Sequence, residues 1–259
     1  MKKLVILGAG TGGTIMANKM RKELERDEWD ITVVDQHKTH YYQPGFLFIP
    51  FGMYKKHDVI KPKADFIPYG VNLIFAEIDR VDGEKSQVLL NDGVVLNYDF
   101  LIIATGTKIV PEETQGLKDK LWRKSVFDYY TIEGSLALAD FFKTWEGGDL
   151  VLNIADNPIK CPVAPLEFVM FADAFFVERG MRDKVNIKYV TPMSGAFTKP
   201  RASKVLGNLL KEKNIEIIPD FYMEKVDNEA QNIVSYDEKS VHFDCLVTIP
   251  VHMGDAMVE

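Results

Sequence analysis

The sequence has few of the residues that build disulfide frameworks and metal sites. It contains two cysteines, Cys161 and Cys245, and five histidines among its 259 residues. Two cysteines cannot form the several bridges that are typical of small secreted domains. The histidines and cysteines also do not recur at the short spacings that are typical of zinc ligands. We therefore predict neither a disulfide framework nor a metal site.

Long apolar runs and basic segments are also missing. The longest apolar stretch, residues 163–177, is interrupted by Glu167 and Asp173 and is too short to cross a bilayer. The N-terminal apolar run is short and continues into glycines instead of a signal-peptide cleavage site. The formal net charge is −7, and no basic stripe stands out to neutralise phosphates. We therefore expect no signal peptide, no transmembrane helix and no binding to nucleic acid.

Glycine is concentrated in one motif near the N-terminus. An apolar run over residues 2–7 is typical of a strand that is buried on both faces. It continues into Gly8-Ala9-Gly10-Thr11-Gly12-Gly13, which fits G-x-G-x-x-G. A helix over 12–25 and a strand over 31–34 follow, and the strand ends at Asp35. In such a unit the backbone approaches a pyrophosphate at the helix N-terminus, and the acid accepts a hydrogen bond from a ribose hydroxyl. The unit predicts a dinucleotide-binding site.

A later strand is expected to return the chain to the same sheet. The apolar run over 98–104 leads into the small-residue turn Thr105-Gly106. Before it, apolar runs over 71–76, 78–81, 86–90 and 94–96 predict a short antiparallel meander. Ligands of doubly wound sheets bind at the carboxyl ends of the strands, so we expect the loop over 37–45 and the turn after 104 beside the cofactor. The candidate cofactor-binding residues are Gly8, Ala9, Gly10, Thr11, Gly12, Gly13, Asp35, Gln36, Gln43, Pro44, Ile78, Ala104, Thr105 and Gly106.

The second half of the chain repeats the alternation of strands and helices without the glycines. A predicted strand over 150–154 is followed by Ala155-Asp156-Asn157-Pro158-Ile159-Lys160-Cys161-Pro162 and then by a helix over 163–179. This connection contains no glycine, and its two prolines lack the N–H groups that would bind a pyrophosphate. Asp156 adds a charge that repels phosphate. We predict a second Rossmann-like unit without a nicotinamide site.

The glycine unit, the meander and the strand that ends in Ala104-Thr105-Gly106, in this order, resemble the flavoprotein superfamily with two dinucleotide-binding domains. That superfamily binds FAD at the first motif. The segments 40–45, 160–162 and 245–250 narrow the resemblance to the sulfide:quinone oxidoreductases and the related flavocytochrome c sulfide dehydrogenase flavoprotein. The resemblance covers essentially the whole chain. It implies an α/β fold class, with two Rossmann-like (FAD/NAD(P)-binding) three-layer domains and β-meander insertions.

The resemblance also implies the domain boundaries. The first part of the FAD-binding domain is expected at 1–109, and the second Rossmann-like domain, without a nicotinamide site, at 110–243. Residues 244–259 are expected to form a return strand to the FAD domain. The family's second redox cysteine, its second FAD motif and its C-terminal membrane-binding and quinone-binding helices have no counterpart here, and we interpret Gly254-Asp255-Ala256 as a loop. We therefore expect the C-terminal third to be lacking, either because the chain is truncated or because it is a reduced relative whose missing parts a partner supplies. The chain as written is expected to bind FAD weakly and not to turn over sulfide with quinone.

Cys161 is the candidate catalytic residue. It precedes Pro162 at the expected start of a helix, where the helix dipole and the neighbouring Lys160 favour a thiolate. The resemblance implies that sulfide attacks a sulfur held at Cys161, that FAD takes up two electrons and passes them to a quinone, and that polysulfide or sulfur leaves. Glu167, about one helical turn further on, is a candidate proton acceptor; the alternative is an ordinary helix acid. Cys245 lies in an apolar strand and is expected to be inert.

Three other functions stay open. An NADH:quinone dehydrogenase is disfavoured by the missing second glycine loop, and a flavocytochrome c sulfide dehydrogenase by the missing export signal. A non-catalytic FAD-binding or sulfur-carrying protein would store a persulfide on Cys161 without passing electrons on. The resemblance further implies that the complete protein is a homo-oligomer, either cytoplasmic or peripheral on a membrane surface.

Overall fold

The structure is a computed structural model that describes residues 1–255, and its chain forms two compact units. The first unit contains Met1–Tyr42, Val59–Lys108 and residues 254–255, and the second contains Gln43–Asp58 and Ile109–Met253. Each unit has one parallel sheet; within the described residues, the first unit also has α1 and two small antiparallel sheets, and the second has three α-helices and one three-stranded antiparallel sheet. The predicted α/β fold class is confirmed.

A four-stranded parallel sheet forms the centre of the first unit, in the order β5-β2-β1-β9. Leu4 pairs with Ile31 on one side and with Phe100 on the other. The apolar strand β1 is buried on both faces, as its sequence predicts, because successive side chains point to opposite sides of the sheet. The elements are β1 (Lys2–Leu7), α1 (Thr11–Glu23), β2 (Trp29–Asp35), β3 (Thr39–Tyr41), β4 (Ile60–Pro62), β5 (Asn72–Phe75), β6 (Ile78–Asp82), β7 (Gln87–Leu90), β8 (Val95–Asn97), β9 (Phe100–Ile103) and β10 (Thr107–Ile109).

The predicted meander is one strand shorter than expected. The run over 71–76 forms β5, which pairs in parallel with β2, so it is the edge strand of the main sheet. The meander itself consists of β6, β7 and β8. Leu73 packs in the cluster on the α1 side of the sheet, and Ile74 in the cluster on the meander side. A strand with two apolar faces suits the parallel sheet better than a meander with one solvated face.

The segment over 37–45, predicted as an irregular loop, contains regular structure. Strand β3 pairs with β4 in an antiparallel hairpin. Gln43–Phe48 then forms a 3₁₀ helix that belongs to the second unit. The apolar residues that follow explain this placement, since Phe51 packs against Phe168 with ring centroids 5.2 Å apart.

A five-stranded parallel sheet forms the centre of the second unit, in the order β11-β18-β12-β13-β14. Leu152 at its middle pairs with Tyr189 and Val247, and all three are fully buried. The elements are β11 (Val126–Phe127), α2 (Ile132–Thr144), β12 (Gly148–Ile154), α3 (Ala164–Glu178), β13 (Val185–Val190), α4 (Pro200–Glu212), β14 (Ile215–Ile218), β15 (Met223–Asp227), β16 (Asn232–Ser235), β17 (Ser240–His242), β18 (Cys245–Ile249) and β19 (His252–Gly254). Strands β15, β16 and β17 form a separate antiparallel sheet.

The predicted return strand does not lie in the first sheet. Strand β18 lies between β11 and β12 in the second unit, with all five of its residues buried. Its apolar run fits the interior of any parallel sheet, so the sequence alone does not say which sheet it joins. Gly254, expected in a loop, ends the short strand β19. Residues 256–259 of the predicted segment lie outside the described residues.

Helix α3 carries the aromatic core of the second unit. Phe168 and Phe176 are fully buried, and a cluster of rings from α2, α3 and the 43–58 segment surrounds them. Within residues 1–255, no helix is both long enough and apolar enough to cross a membrane.

Candidate functional site

The glycine loop between β1 and α1 is held by close backbone packing. Gly8 has a φ of +93°, and a Cβ on it would overlap the carbonyl oxygen of Ala104. A Cβ on Gly13 would overlap the carbonyl oxygen of Gly8. Gly10 is different, because a Cβ placed there meets no described atom within 4 Å. Gly8 and Gly13 are therefore required by the fold, whereas Gly10 leaves an open space in front of the loop.

The N-terminus of α1 faces this open space and suits an anion. Gly10 is the N-cap, and no side chain of the described residues caps the helix. The first turn, which begins with Thr11 and Gly12, contains no acidic residue. The backbone N–H groups and the positive end of the helix dipole are thus available to a pyrophosphate. The open position at Gly10 and the uncapped helix fit the dinucleotide cofactor that the motif predicts.

Asp35 at the end of β2 is bound by three groups of the protein. Its Oδ2 accepts a hydrogen bond from the Ala9 N–H at 2.7 Å, and its Oδ1 accepts one from the His37 N–H at 2.8 Å. The Lys63 ammonium forms an ion pair with Oδ1, and both side chains are about one-tenth exposed. A carboxylate has about four acceptor positions, so one remains for a ribose hydroxyl. Sequence reasoning missed Lys63, since nothing in its neighbourhood indicates the pairing.

The structure brings some of the other predicted cofactor residues to this edge. The Ala104 N–H donates to the Leu7 carbonyl at 2.7 Å, which places the turn at Thr105 and Gly106 beside the glycine loop. Gln36 follows Asp35 and is exposed. Ile78 is half-buried and packs in the hydrophobic cluster beneath the meander.

Gln43 and Pro44 belong to the second unit, where both are exposed at the start of the 3₁₀ helix. The Gln43 Oε1 accepts a hydrogen bond from the Lys160 Nζ at 3.3 Å. Desolvation by the surrounding atoms lowers the pKa of Lys160. The structure thus joins Gln43 to the residue next to Cys161.

Cys161 is exposed and unbridged. The helix begins at Ala164, one residue later than predicted, with Val163 as its N-cap, so Cys161 lies just before the helix and outside its first turn. Glu167 lies in the first turns of α3 with its side chain exposed. Cys245 is fully buried, and burial raises its pKa well above the ordinary value.

The start of α3 differs from that of α1. The Ala155 N–H, at the end of β12, donates to the Ile249 carbonyl at 3.0 Å. The N–H groups of Leu166 and Glu167 both donate to the Val163 carbonyl, and Pro165 in the same turn has no N–H. The first turn of α3 therefore lacks two donors for a pyrophosphate, at Pro165 and Leu166.

The surroundings of Cys161 include a turn that sequence reasoning missed. The buried Asp128 carboxylate accepts hydrogen bonds from the N–H groups of Tyr130 at 2.9 Å and Thr131 at 2.7 Å, and pairs with Arg123 at 2.7 Å. This fixed turn directs the Tyr130 hydroxyl to the Cys161 carbonyl, to which it donates at 3.4 Å. Burial and the nearby Cys161 raise the pKa of Tyr130, so its hydroxyl keeps its proton.

His252 packs on the other side of Tyr130. The two rings meet edge to face, with centroids 5.0 Å apart. Partial burial and the charge of Lys160 lower the pKa of His252. No sequence motif connects Tyr130, Cys161 and His252, because they come from three elements that only the fold brings together.

The comparisons with known proteins agree with this organisation. The chain is 25% identical over 252 residues to a mitochondrial sulfide:quinone oxidoreductase of Dictyostelium discoideum, a match that covers 96% of this chain and 56% of the relative. It is 23% identical over 232 residues to a sulfide-quinone reductase of Aquifex aeolicus, which covers 87% of this chain and 52% of the relative. The chain thus spans about half the length of these relatives. The resemblance to sulfide:quinone oxidoreductases is confirmed.

A type II NADH:quinone oxidoreductase of Staphylococcus haemolyticus is 34% identical over 119 residues, which covers 46% of this chain and 29% of the relative. Among solved structures, the sulfide:quinone oxidoreductase of Aquifex aeolicus matches all of this chain and 60% of its own, with a TM-score of 0.85 at 20% identity. This likeness shows the fold.

The family model for pyridine nucleotide-disulphide oxidoreductases matches residues 2–133, which contain the glycine loop, Asp35 and the turn after Ala104. This match confirms that the cofactor is FAD and that the family is one of oxidoreductases. The chain belongs to the pyridine nucleotide-disulphide oxidoreductase family.

Proposed function

We propose that this chain is part of an FAD-dependent sulfide:quinone oxidoreductase, in which Cys161 receives the sulfur of sulfide. The observation that carries the proposal is the connection from β12 to α3. It contains an exposed cysteine, has no glycine, and is followed by a helix turn in which Pro165 has no N–H and the Leu166 N–H is already bonded. The similarity to sulfide:quinone oxidoreductases over most of the chain supports the same function.

We assign the FAD-binding domain to the first unit and the Rossmann-like domain without a nicotinamide site to the second. The open backbone at Gly10 and the uncapped start of α1 would hold the pyrophosphate of FAD, and the remaining acceptor position of Asp35 would take a ribose hydroxyl. When bound, FAD supplies the two-electron acceptor of the reaction.

The residues of the second unit would handle the sulfur. The exposed Cys161 thiol is accessible to hydrosulfide, and the Lys160 ammonium next to it favours such an anion. Joining the two sulfurs as a persulfide would release one proton and two electrons, and bound FAD would be the acceptor of the electrons. Glu167 is exposed in the first turns of α3, and we propose it as the proton acceptor. The electrons would leave to a quinone, with sulfur released as polysulfide or elemental sulfur.

The test is an anaerobic titration of the FAD-loaded protein, followed by the visible flavin spectrum. We expect sulfide to bleach the flavin, NADH to leave it unchanged, and Cys161→Ser to abolish bleaching by sulfide while FAD stays bound. Cys245→Ala is the matched control, because it removes the buried cysteine and should leave bleaching intact. Unchanged bleaching in Cys161→Ser would refute the role of the thiol.

A type II NADH:quinone oxidoreductase is the second candidate. It is favoured by the 34% identity to the Staphylococcus haemolyticus enzyme, over a shorter part of the chain. Bleaching by NADH alone in the same titration would establish it. We further propose that the complete protein is a homo-oligomer and associates peripherally with membranes, which sedimentation alone and with lipid vesicles would test.

A further inference from the structure

Helix α3 has an outer face that is apolar but uncovered. Residues 163, 167, 170, 174 and 177 follow one another at intervals of three or four, so they share one face of the helix. Glu167 is the one charged member of this set, whereas Val163, Ala174 and Val177 are apolar and exposed, Val177 to 58%. The solvent side of a helix in a globular protein is ordinarily polar. An exposed apolar face of this kind indicates a surface that contacts something else.

Helix α4 continues this apolar surface. Its residues Ala202, Val205 and Leu209 are spaced by three and four positions, and Val205 is 61% exposed. The two helices border one open groove, lined by Val163, Met170 and Phe171 on the α3 side and by Phe197, Leu206 and Leu209 on the α4 side. We call this groove, together with Ala174, Val177, Ala202 and Val205 on its two helices, the α3–α4 face.

Aromatic contacts extend the α3–α4 face to the segment over 43–58. The Phe48 ring lies 5.4 Å from that of Phe171 and 5.1 Å from that of Tyr54, measured between centroids. Tyr54 and its neighbour Met53 are both exposed. A tyrosine with an apolar ring and a polar hydroxyl is typical of the boundary between membrane and water.

Five cations border the apolar residues. They are exposed and form no ion pair with a described residue: Lys199, Arg201 and Lys204 at the start of α4, and Lys55 and Lys56 after Tyr54. Arg201 precedes Val205 by four positions, so the two side chains lie on the same side of the helix. The exposed acids of the two helices are Glu167, Glu178 and Glu212, and the last two lie at the C-terminal ends. A cationic border is unusual for a chain with a formal net charge of −7, and it suits an anionic partner.

We propose that the α3–α4 face binds anionic lipid membranes. Apolar side chains that enter the headgroup region, flanked by cations that attract anionic lipids, are the arrangement of helices that lie in a membrane interface. A second copy of the same face would place its cations against these cations, so charge disfavours that occupant. This inference rests on the proposed function, since it names the surface for the peripheral membrane association proposed there.

The first test is sedimentation of the FAD-loaded chain with sucrose-filled vesicles. Vesicles of phosphatidylserine and phosphatidylcholine in equal parts are compared with vesicles of phosphatidylcholine alone. We expect binding to the mixed vesicles, and weaker binding as the salt concentration rises, because salt screens the attraction. Arg201→Gln combined with Lys204→Gln should lower the partition coefficient about 25-fold, since each cation near an anionic surface contributes about fivefold.

The matched control removes the same charge elsewhere. Lys22→Gln combined with Lys124→Gln replaces two exposed lysines outside the α3–α4 face, and it should bind within about twofold of the wild-type protein. Equal losses in the two double variants would overturn the inference, because the attraction would then depend on total charge and not on this face.

Val205→Trp tests whether the apolar residues enter the membrane. The position is exposed, so the larger ring needs no repacking, and its emission should shift to shorter wavelength when the mixed vesicles bind. Val95→Trp, at an exposed position of β8 in the first unit, is the control and should keep its emission. An unshifted spectrum of Val205→Trp on saturating vesicles would overturn the inference.

The outcomes separate this inference from the proposed function. If the wild-type chain binds the mixed vesicles and the α4 double variant binds equally well, the α3–α4 face is refuted and peripheral association stands. If no vesicle binds the chain, both membrane proposals fail, while bleaching of the flavin by sulfide still tests the reaction. If the chain forms an oligomer without lipid that Val205→Lys dissociates, the face is an interface between copies and the inference is overturned.

Discussion

The glycine loop has two requirements, close backbone packing at Gly13 and open space for a cofactor at Gly10. Alanine substitutions at these two positions test them separately. In Gly13→Ala the new Cβ overlaps the Gly8 carbonyl oxygen, a backbone atom that cannot rotate away. Overpacking of this kind costs about 1–3 kcal/mol and occasionally more, and the higher helix propensity of alanine offsets up to about 1 kcal/mol. We expect a net loss near 2 kcal/mol, which lowers the melting temperature by about 4–8 °C for a chain of this size.

Gly10→Ala should leave the melting temperature nearly unchanged and weaken the binding of FAD. Its Cβ meets no described atom within 4 Å, and its φ of −73° and ψ of −165° suit any residue. At an N-cap, alanine is less favourable than glycine by about 0.5 kcal/mol, so the melting temperature of the FAD-free protein should change little. The added methyl group occupies the space in front of the helix N-terminus. We therefore expect the Kd for FAD to rise about tenfold or more, equivalent to about 1.4 kcal/mol.

Both variants are measured in two assays. Differential scanning fluorimetry without FAD gives the melting temperature, and quenching of FAD fluorescence gives the Kd. The reasoning is refuted if Gly10→Ala binds FAD as tightly as the wild-type protein, because the cofactor then does not approach the backbone there. A Gly13→Ala protein of wild-type stability would show that the loop is not packed as described.

Two carboxylates that form ion pairs, Asp35 and Asp173, give further predictions. Lys63→Met leaves the Asp35 charge buried without its partner, and we expect it to lower the free energy of unfolding by about 3 kcal/mol in urea. Burial alone would raise the pKa of Asp173, but hydrogen bonds from Lys213 and Arg182 outweigh this and hold the pKa below its ordinary value. The carboxylate therefore stabilises the fold above about pH 4, its unfolded value, and this contribution is lost as the pH falls through the lower folded value. Asp173→Asn should cost about 2 kcal/mol at pH 7 and much less near pH 2.

Exposed ion pairs on the same molecule are the controls. Lys85→Met breaks a pair in which the lysine is 69% exposed, and it should leave the urea midpoint within error. Asp140→Asn breaks a helix-surface pair with Lys143, in which both side chains are more than 70% exposed. A pH dependence in Asp140→Asn as large as that in Asp173→Asn would contradict the importance of burial. A Lys63→Met protein as stable as Lys85→Met would show that the Asp35 pair contributes nothing.

The parts of the molecule that depend on local sequence could be predicted without the structure. Gly13 is fixed by packing against Gly8, five residues before it, Gly8 by the positive φ of the turn, and Asp35 by the length of one βαβ unit. Strand β18 could not be assigned to its sheet, because an apolar run buried on both faces satisfies the interior of either sheet. Strand β5 was misplaced for the same reason.

The partners of the predicted site residues were the least accessible to sequence reasoning. Lys63 neutralises Asp35 from 28 positions away, and His252 reaches the neighbourhood of Cys161 through an aromatic contact with Tyr130. Each partner is an ordinary residue in its own segment. Its role arises only when the fold brings distant segments together, so no local pattern predicts it.

The two strand-to-helix junctions show how one architecture acquires different chemistry. After β1, glycine is the N-cap of α1, and neither a capping side chain from the described residues nor a first-turn acid competes for the helix N-terminus. After β12, Pro165 lacks an N–H, and the Val163 carbonyl accepts from the next two N–H groups. Both junctions lie at the carboxyl end of a central parallel strand, where ligands of such sheets bind. The first junction is therefore suited to a pyrophosphate, whereas the second carries the exposed thiol of Cys161 just before its helix.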